Sequence, residues 1–229
     1  MGELPAEDEE LQRRLEASEE ALRRASDTIA SSDHACLLVK ILCNVPVYAA
    51  SQSQRARGWT HPQDLDLLAY AVRCIFEAGL LAWYYLRKSD DDMIARLAEH
   101  FMRDEIEIEQ GFLALGRDLH LGFREIAKSL GEHRSSCPRA KRPPSMRELA
   151  ALLGAEAEYS AFFRLYSKLV HPSAYSLFGR TPKPEAGPIR TLFLMNAARY
   201  MEELVALFEE VEAAVLQAEH GASVPDSAE

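Results

Sequence analysis

Apolar residues recur along this chain with helical periodicity, and no run alternates polar and apolar long enough to suggest a strand. Leu11, Leu15, Ser18, Leu22, Ala25 and Ile29 follow alternating steps of four and three, one stripe on a long first helix. Acids cluster where that helix starts, which suits its dipole. Ser31–Asp33 marks a break, and a second apolar run, HACLLVKILCNV, leads to Pro46, which should kink or end it. Thr60-His61-Pro62-Gln63 reads as a capping box with proline in the first turn, opening a helix over about 62–87.

From Leu65 to Leu86 that helix carries only Asp66, Arg73 and Glu77 as charges. Two charges at the centre of a lipid span are costly, so a fully buried helix of a bundle is expected instead. Ser89 or Asp90 can cap the next helix, about 91–115, and another is predicted over about 117–131. HRSSCPRAKRPPS, residues 133–145, interrupts the pattern with three prolines, four bases and no acid, and reads as a loop or linker. Ser145-x-x-Glu148 is a second capping box, predicting helices over about 146–153 and 156–171. His171-Pro172 ends the latter, because the residue before proline is pushed out of helical geometry. A loop over 172–188 leads to a final helix, about 189–219. The expected fold is all-α, a single bundle of about six to eight helices. Residues 1–32 form its amphipathic packing or dimerisation helix, 33–219 the bundle and 220–229 a disordered acidic tail.

Charge sharpens this outline. The 229 residues carry a net charge of −10, which argues against sequence-blind coating of nucleic acid. Yet residues 134–200 hold eleven bases and four acids, so any anionic partner belongs there. Cys36, Cys43, Cys74 and Cys137 show no metal-finger spacing, and the first three are expected as buried reduced thiols. The N-terminus lacks the basic flank and apolar run of a signal peptide, so a cytoplasmic protein is expected, with no membrane contact. Glu99, Asp104, Glu105, Glu107 and Glu109 with His100 suggest a metal site, but no Glu-x-x-His occurs, so no metal and no cofactor is expected.

YSAFFRLYSKLVHPS carries the chemistry. At 100° per residue, Phe162, Leu165, Tyr166 and Leu169 share one face, while Arg164, Ser167, Lys168 and His171 share another. Arg164 and His171 lie nearly in line, about 10 Å apart along the axis. Cleaving RNA without a metal needs a base for the 2′-hydroxyl, an acid for the leaving oxygen and a cation for the phosphorane. Histidine titrates near neutrality, and the arginine fork matches phosphate oxygens. Two copies about a dyad can set two arginines and two histidines round one phosphate, so this chemistry favours a homodimer.

Arg164-x6-His171, at the end of a late helix, resembles the R-x4-6-H motif of the HEPN superfamily (higher eukaryotes and prokaryotes nucleotide-binding). AVRCIFEAGLLAWYYL followed by YSAFFRLYSKLVHPSAYSL also resembles a bacterial domain family of unknown function that pairs an R-x-x-x-E-A helix with a Val-His-Pro-Ser segment. The likeness spans roughly residues 60–215. The HEPN resemblance implies a helical bundle, a homodimer with the motifs at the dimer cleft, and metal-independent endoribonuclease activity in a toxin or antiviral-defence effector. It also implies that Arg164 stabilises the phosphate and that His171 transfers protons. Active members commonly follow the arginine with a polar residue; this chain has Leu165.

Around that pair stand supporting residues. Arg73 and Glu77, four apart, form either a buried intrahelical salt bridge or an orienting carboxylate that reaches Arg164 or His171. Ser167 and Lys168 extend the stripe. Tyr166, Tyr159 and Tyr175 either stack on a base or pack in the core or at its rim. Arg134, Arg139, Lys141, Arg142 and Arg147 can guide RNA, as can Arg180 beyond the motif, although a merely solvated linker explains the loop bases equally well. The rival expectation is a non-catalytic interaction or nucleotide-binding module. A third is a regulatory subunit, with an antitoxin or other protein regulator as partner.

Overall fold

The computed structural model describes residues 6–59, 64–87, 93–118, 124–136, 144–170 and 186–222, and every structural statement concerns these. They are almost entirely helical: α1 (Ala6–Ser31), α2 (Leu37–Leu42), α3 (Asn44–Gly58), α4 (Leu65–Arg87), α5 (Met93–Asp118), α6 (Arg124–Ser136), α7 (Met146–Leu152), α8 (Glu156–Val170) and α9 (Ala186–Ala222). The fold is therefore an all-α bundle. The chain divides into two compact units, Met1–Arg87 with Met146–Glu229, and Lys88–Ser145.

In the larger unit α1, α3, α4 and α9 form a ring in which each helix packs on the next. Contacts at each end set the directions. Arg57 of α3 pairs with Glu16 and Glu19 of α1, while Ser26 donates to the Cys43 carbonyl at the other end, so α1 and α3 are antiparallel. Phe76 meets Tyr200 and Arg87 pairs with Glu210, so α4 and α9 run parallel. Asp8–Arg190 and Ser32–Glu219 set α1 parallel to α9 as well. The whole predicted α1 stripe is buried, Ser18 included.

The α2–α3 junction follows from Pro46. A proline in the first turn of α3 has no N–H for the Leu42 carbonyl, and its ring crowds that carbonyl. The ladder breaks at Cys43, which keeps right-handed helical angles (φ −59°, ψ −15°), so α2 and α3 make one kinked rod. Cys36 corrects an expectation. It caps the start of α2 with extended backbone and is exposed, whereas Cys43 and Cys74 are buried; Cys137 lies outside the described residues.

α4 is less enclosed than its composition predicts. Leu67 and Tyr70 are exposed, and Arg73 and Glu77 are each about a fifth exposed (22% and 23%). Its exposed residues sit at its ends, Leu67 and Tyr70 near the start and Arg87 at the close, and from Ala71 to Leu86 every residue is buried or half-buried. No described helix is long and apolar enough to cross a membrane. The capping box at Thr60 and the cap at Ser89 or Asp90 fall outside the described residues. α6 continues to Ser136, four residues into the predicted loop of 133–145.

Candidate functional site

α8 carries the stripe singled out from sequence, and a tight turn delivers it. α7 ends in a residue pattern that forces a stop: Gly154 takes φ +76°, the left-handed region that favours glycine, and Ala155 N–H donates back to the Ala150 carbonyl at 2.7 Å. Arg147 of α7 pairs with Glu156 at 3.1 Å across that turn. α8 then packs antiparallel to α4, with Tyr159 beside Phe76 and Phe163 under Arg73.

Two tyrosines one heptad apart fix the helix by its inner side. Tyr166 is fully buried, its ring 5.9 Å from Phe162 and 5.4 Å from Phe193, and Tyr159 is 8% exposed. Both therefore serve packing and neither offers a face to a base; Tyr175 lies outside the described residues. Leu165 is half-buried, so the apolar residue in the polar slot of the resembled motif adds to the packed side. Arg164 and Lys168 are exposed and Ser167 half-buried, as the wheel predicts. Arg164 forms no ion pair among the described residues.

Behind the stripe, a polar network ties α8 to α9. Glu158 pairs with Arg199 and accepts the Tyr200 hydroxyl at 2.7 Å, and Arg199 also pairs with Glu203 at 3.0 Å. Burial pushes the Tyr200 and Tyr166 phenols above the ordinary value of 10.0. The Tyr166 hydroxyl lies beside Tyr200 and Asn196 and has no hydrogen-bond partner among the described residues. Sequence periodicity missed this network because its partners are 41 and 42 residues apart; the only local sign was Arg199-x-x-x-Glu203.

On α4, Arg73 donates from Nε to Glu77 at 2.9 Å, the intrahelical alternative. The same guanidinium lies 4.4 Å from the Phe163 ring centre, and Phe163 stacks on Tyr159 at 4.7 Å. Among the described residues Glu77 makes no hydrogen bond to Arg164. Instead, its charge acts on the Tyr159 phenol, which burial raises first and Glu77 raises further, while Arg73 and Arg147 oppose the rise.

The remaining predicted residues divide by position. His171, Arg139, Lys141, Arg142 and Arg180 lie outside the described residues, and Arg134 falls in the last turn of α6. Among the described residues no group of three or more His, Cys, Asp and Glu is placed to hold a metal ion. His100, half-buried on α5, has its pKa lowered by desolvation, against the pull of Asp104 and Glu99.

The chain matches no protein-family model, no curated protein and no solved structure.

Proposed function

We propose that this protein is a metal-independent RNA endonuclease of the HEPN type, working as a homodimer in the cytoplasm, with the outward stripe of α8 at its centre. One observation carries the reading: Arg164 stands exposed, with no ion pair among the described residues, on a helix anchored from behind by Tyr159 and Tyr166. A cation held ready on a rigid helix is suited to an external phosphate.

In the proposed reaction, a histidine takes the proton of an RNA 2′-hydroxyl, and that oxygen attacks the adjacent phosphorus. Arg164, with Lys168 beside it, stabilises the charge that develops on the phosphorane oxygens. The bond from phosphorus to the 5′-oxygen breaks, and a second histidine protonates the departing oxygen. The products are a 2′,3′-cyclic phosphate and a 5′-hydroxyl. His171 directly follows α8 in sequence and supplies the imidazole; two copies of the chain supply the pair. Ser167 offers a hydroxyl to the same phosphate, and the bases Arg139, Lys141, Arg142 and Arg180 lead RNA to it. A toxin or defence role fits such an activity, with a protein regulator restraining it.

Leu165 favours one second reading, in which the same stripe binds RNA or a nucleotide without cutting it. Purified protein incubated with mixed RNA in EDTA, beside a His171→Ala variant, separates the two. Cleavage by the unaltered protein alone supports the enzyme. RNA retained but intact with both proteins supports the binding module and overturns the enzyme.

A further inference from the structure

α5, in the smaller unit, is apolar on two separate sides. Met102, Ile106 and Leu113 lie half-buried on one, and α6 packs against the helix. Phe101, Ile108 and Phe112 lie on another, about 120° round the axis, and are 60%, 58% and 50% exposed. Their spacing of seven and four is that of a helix seam, and α5 and α6 are the two described helices of this unit. Solitary exposed apolar residues need no explanation, but three large ones in register along one helix mark an interaction face.

The edges of that face select its occupant. Between Phe101 and Phe112 the chain carries four acids, Asp104, Glu105, Glu107 and Glu109, against one base, Arg103. By the helical wheel Asp104 borders the seam on one side and Glu105 on the other, with Glu107 and Glu109 further out. A second copy of this face would bring acid against acid, and an anionic bilayer would repel it. We infer that the Phe101–Ile108–Phe112 face docks a cationic amphipathic helix of another protein. Its apolar side would cover the phenylalanines and its lysines or arginines would meet the two acidic edges. This partner surface belongs to the smaller unit, α8 to the larger, and the inference stands whether or not the protein cleaves RNA.

A labelled synthetic helix of about five turns, leucine on one face and lysine on the other, serves as probe against the full chain. A leucine–glutamate helix is the control. The Leu–Lys helix is expected to bind, more weakly as salt is added. Its affinity should fall about tenfold or more in a Phe101→Ser/Phe112→Ser variant, whose melting is unchanged because both side chains are exposed. Asp104→Asn with Glu107→Gln should weaken it too. Equal binding of both helices, binding untouched by the phenylalanine changes, or no binding would each overturn the inference. So would sedimentation showing that Phe101 and Phe112 hold two copies of the chain together.

Discussion

The Arg73 guanidinium lies 4.4 Å from the ring centre of Phe163, the residue immediately before Arg164. Glu77 holds that guanidinium at 2.9 Å, and Phe163 rests on Tyr159. The pair on α4 therefore packs on the turn of α8 that carries Arg164, and in the proposed reaction it would be a positioning pair acting through Phe163. Arg73→Met should lower stability by about 1 kcal/mol, from a partly exposed ion pair and a cation–π contact. It should reduce RNA cleavage well below the melting temperature as well. Glu77→Gln should do both less. Melting curves beside cleavage rates check this; undiminished cleavage by Arg73→Met would limit the pair to stability.

Two ion pairs join α1 to α9, and they should differ sharply in worth. Asp8–Arg190, at 2.8 Å, is almost wholly buried, while Arg14–Glu202, at 2.7 Å, is about two-fifths exposed. Thr191 also donates to Asp8, so Asp8→Ala strands a buried guanidinium and takes the acceptor from a half-buried hydroxyl. Its expected cost is about 3–5 kcal/mol. Glu202→Ala should cost about 1 kcal/mol or less. Urea unfolding of the two variants measures both.

Alkaline stability follows from the tyrosines. Burial raises the phenols of Tyr159, Tyr166 and Tyr200 above 10.0, so the folded chain keeps protons that the unfolded chain releases. Stability from this source is intact below about pH 10 and falls above it, by up to about 1.4 kcal/mol per pH unit for each phenol. Ultraviolet titration should show these tyrosines ionising only as the bundle unfolds. Ionisation of all eight near pH 10 with the fold intact would contradict it.

Much of the bundle was legible because its signals are local. The α1 stripe, the α7 and α8 boundaries and the outward placement of Arg164 and Lys168 all follow from a period of 3.6 and from turn residues. What escaped depends on partners distant in sequence. The exposed start of α4 could not be read from its composition, because what the bundle leaves open is decided by α3, α8 and α9. Glu158–Arg199–Tyr200 and Asp8–Arg190 join elements far apart in the chain. Cys36 looked buried among apolar neighbours, but it occupies a helix start that faces out. The two apolar sides of α5 are visible in sequence once α6 is known to cover one of them.

The proposed cleavage depends most heavily on Arg164. The most direct measurement is the end-group analysis of RNA incubated in EDTA with the unaltered protein and with Arg164→Ala, an exposed change that should leave melting unaltered. The expected result is 2′,3′-cyclic phosphate ends from the unaltered protein and a loss of about a hundredfold or more in rate for the variant. Cleavage at equal rates by both, or none by either, would contradict it.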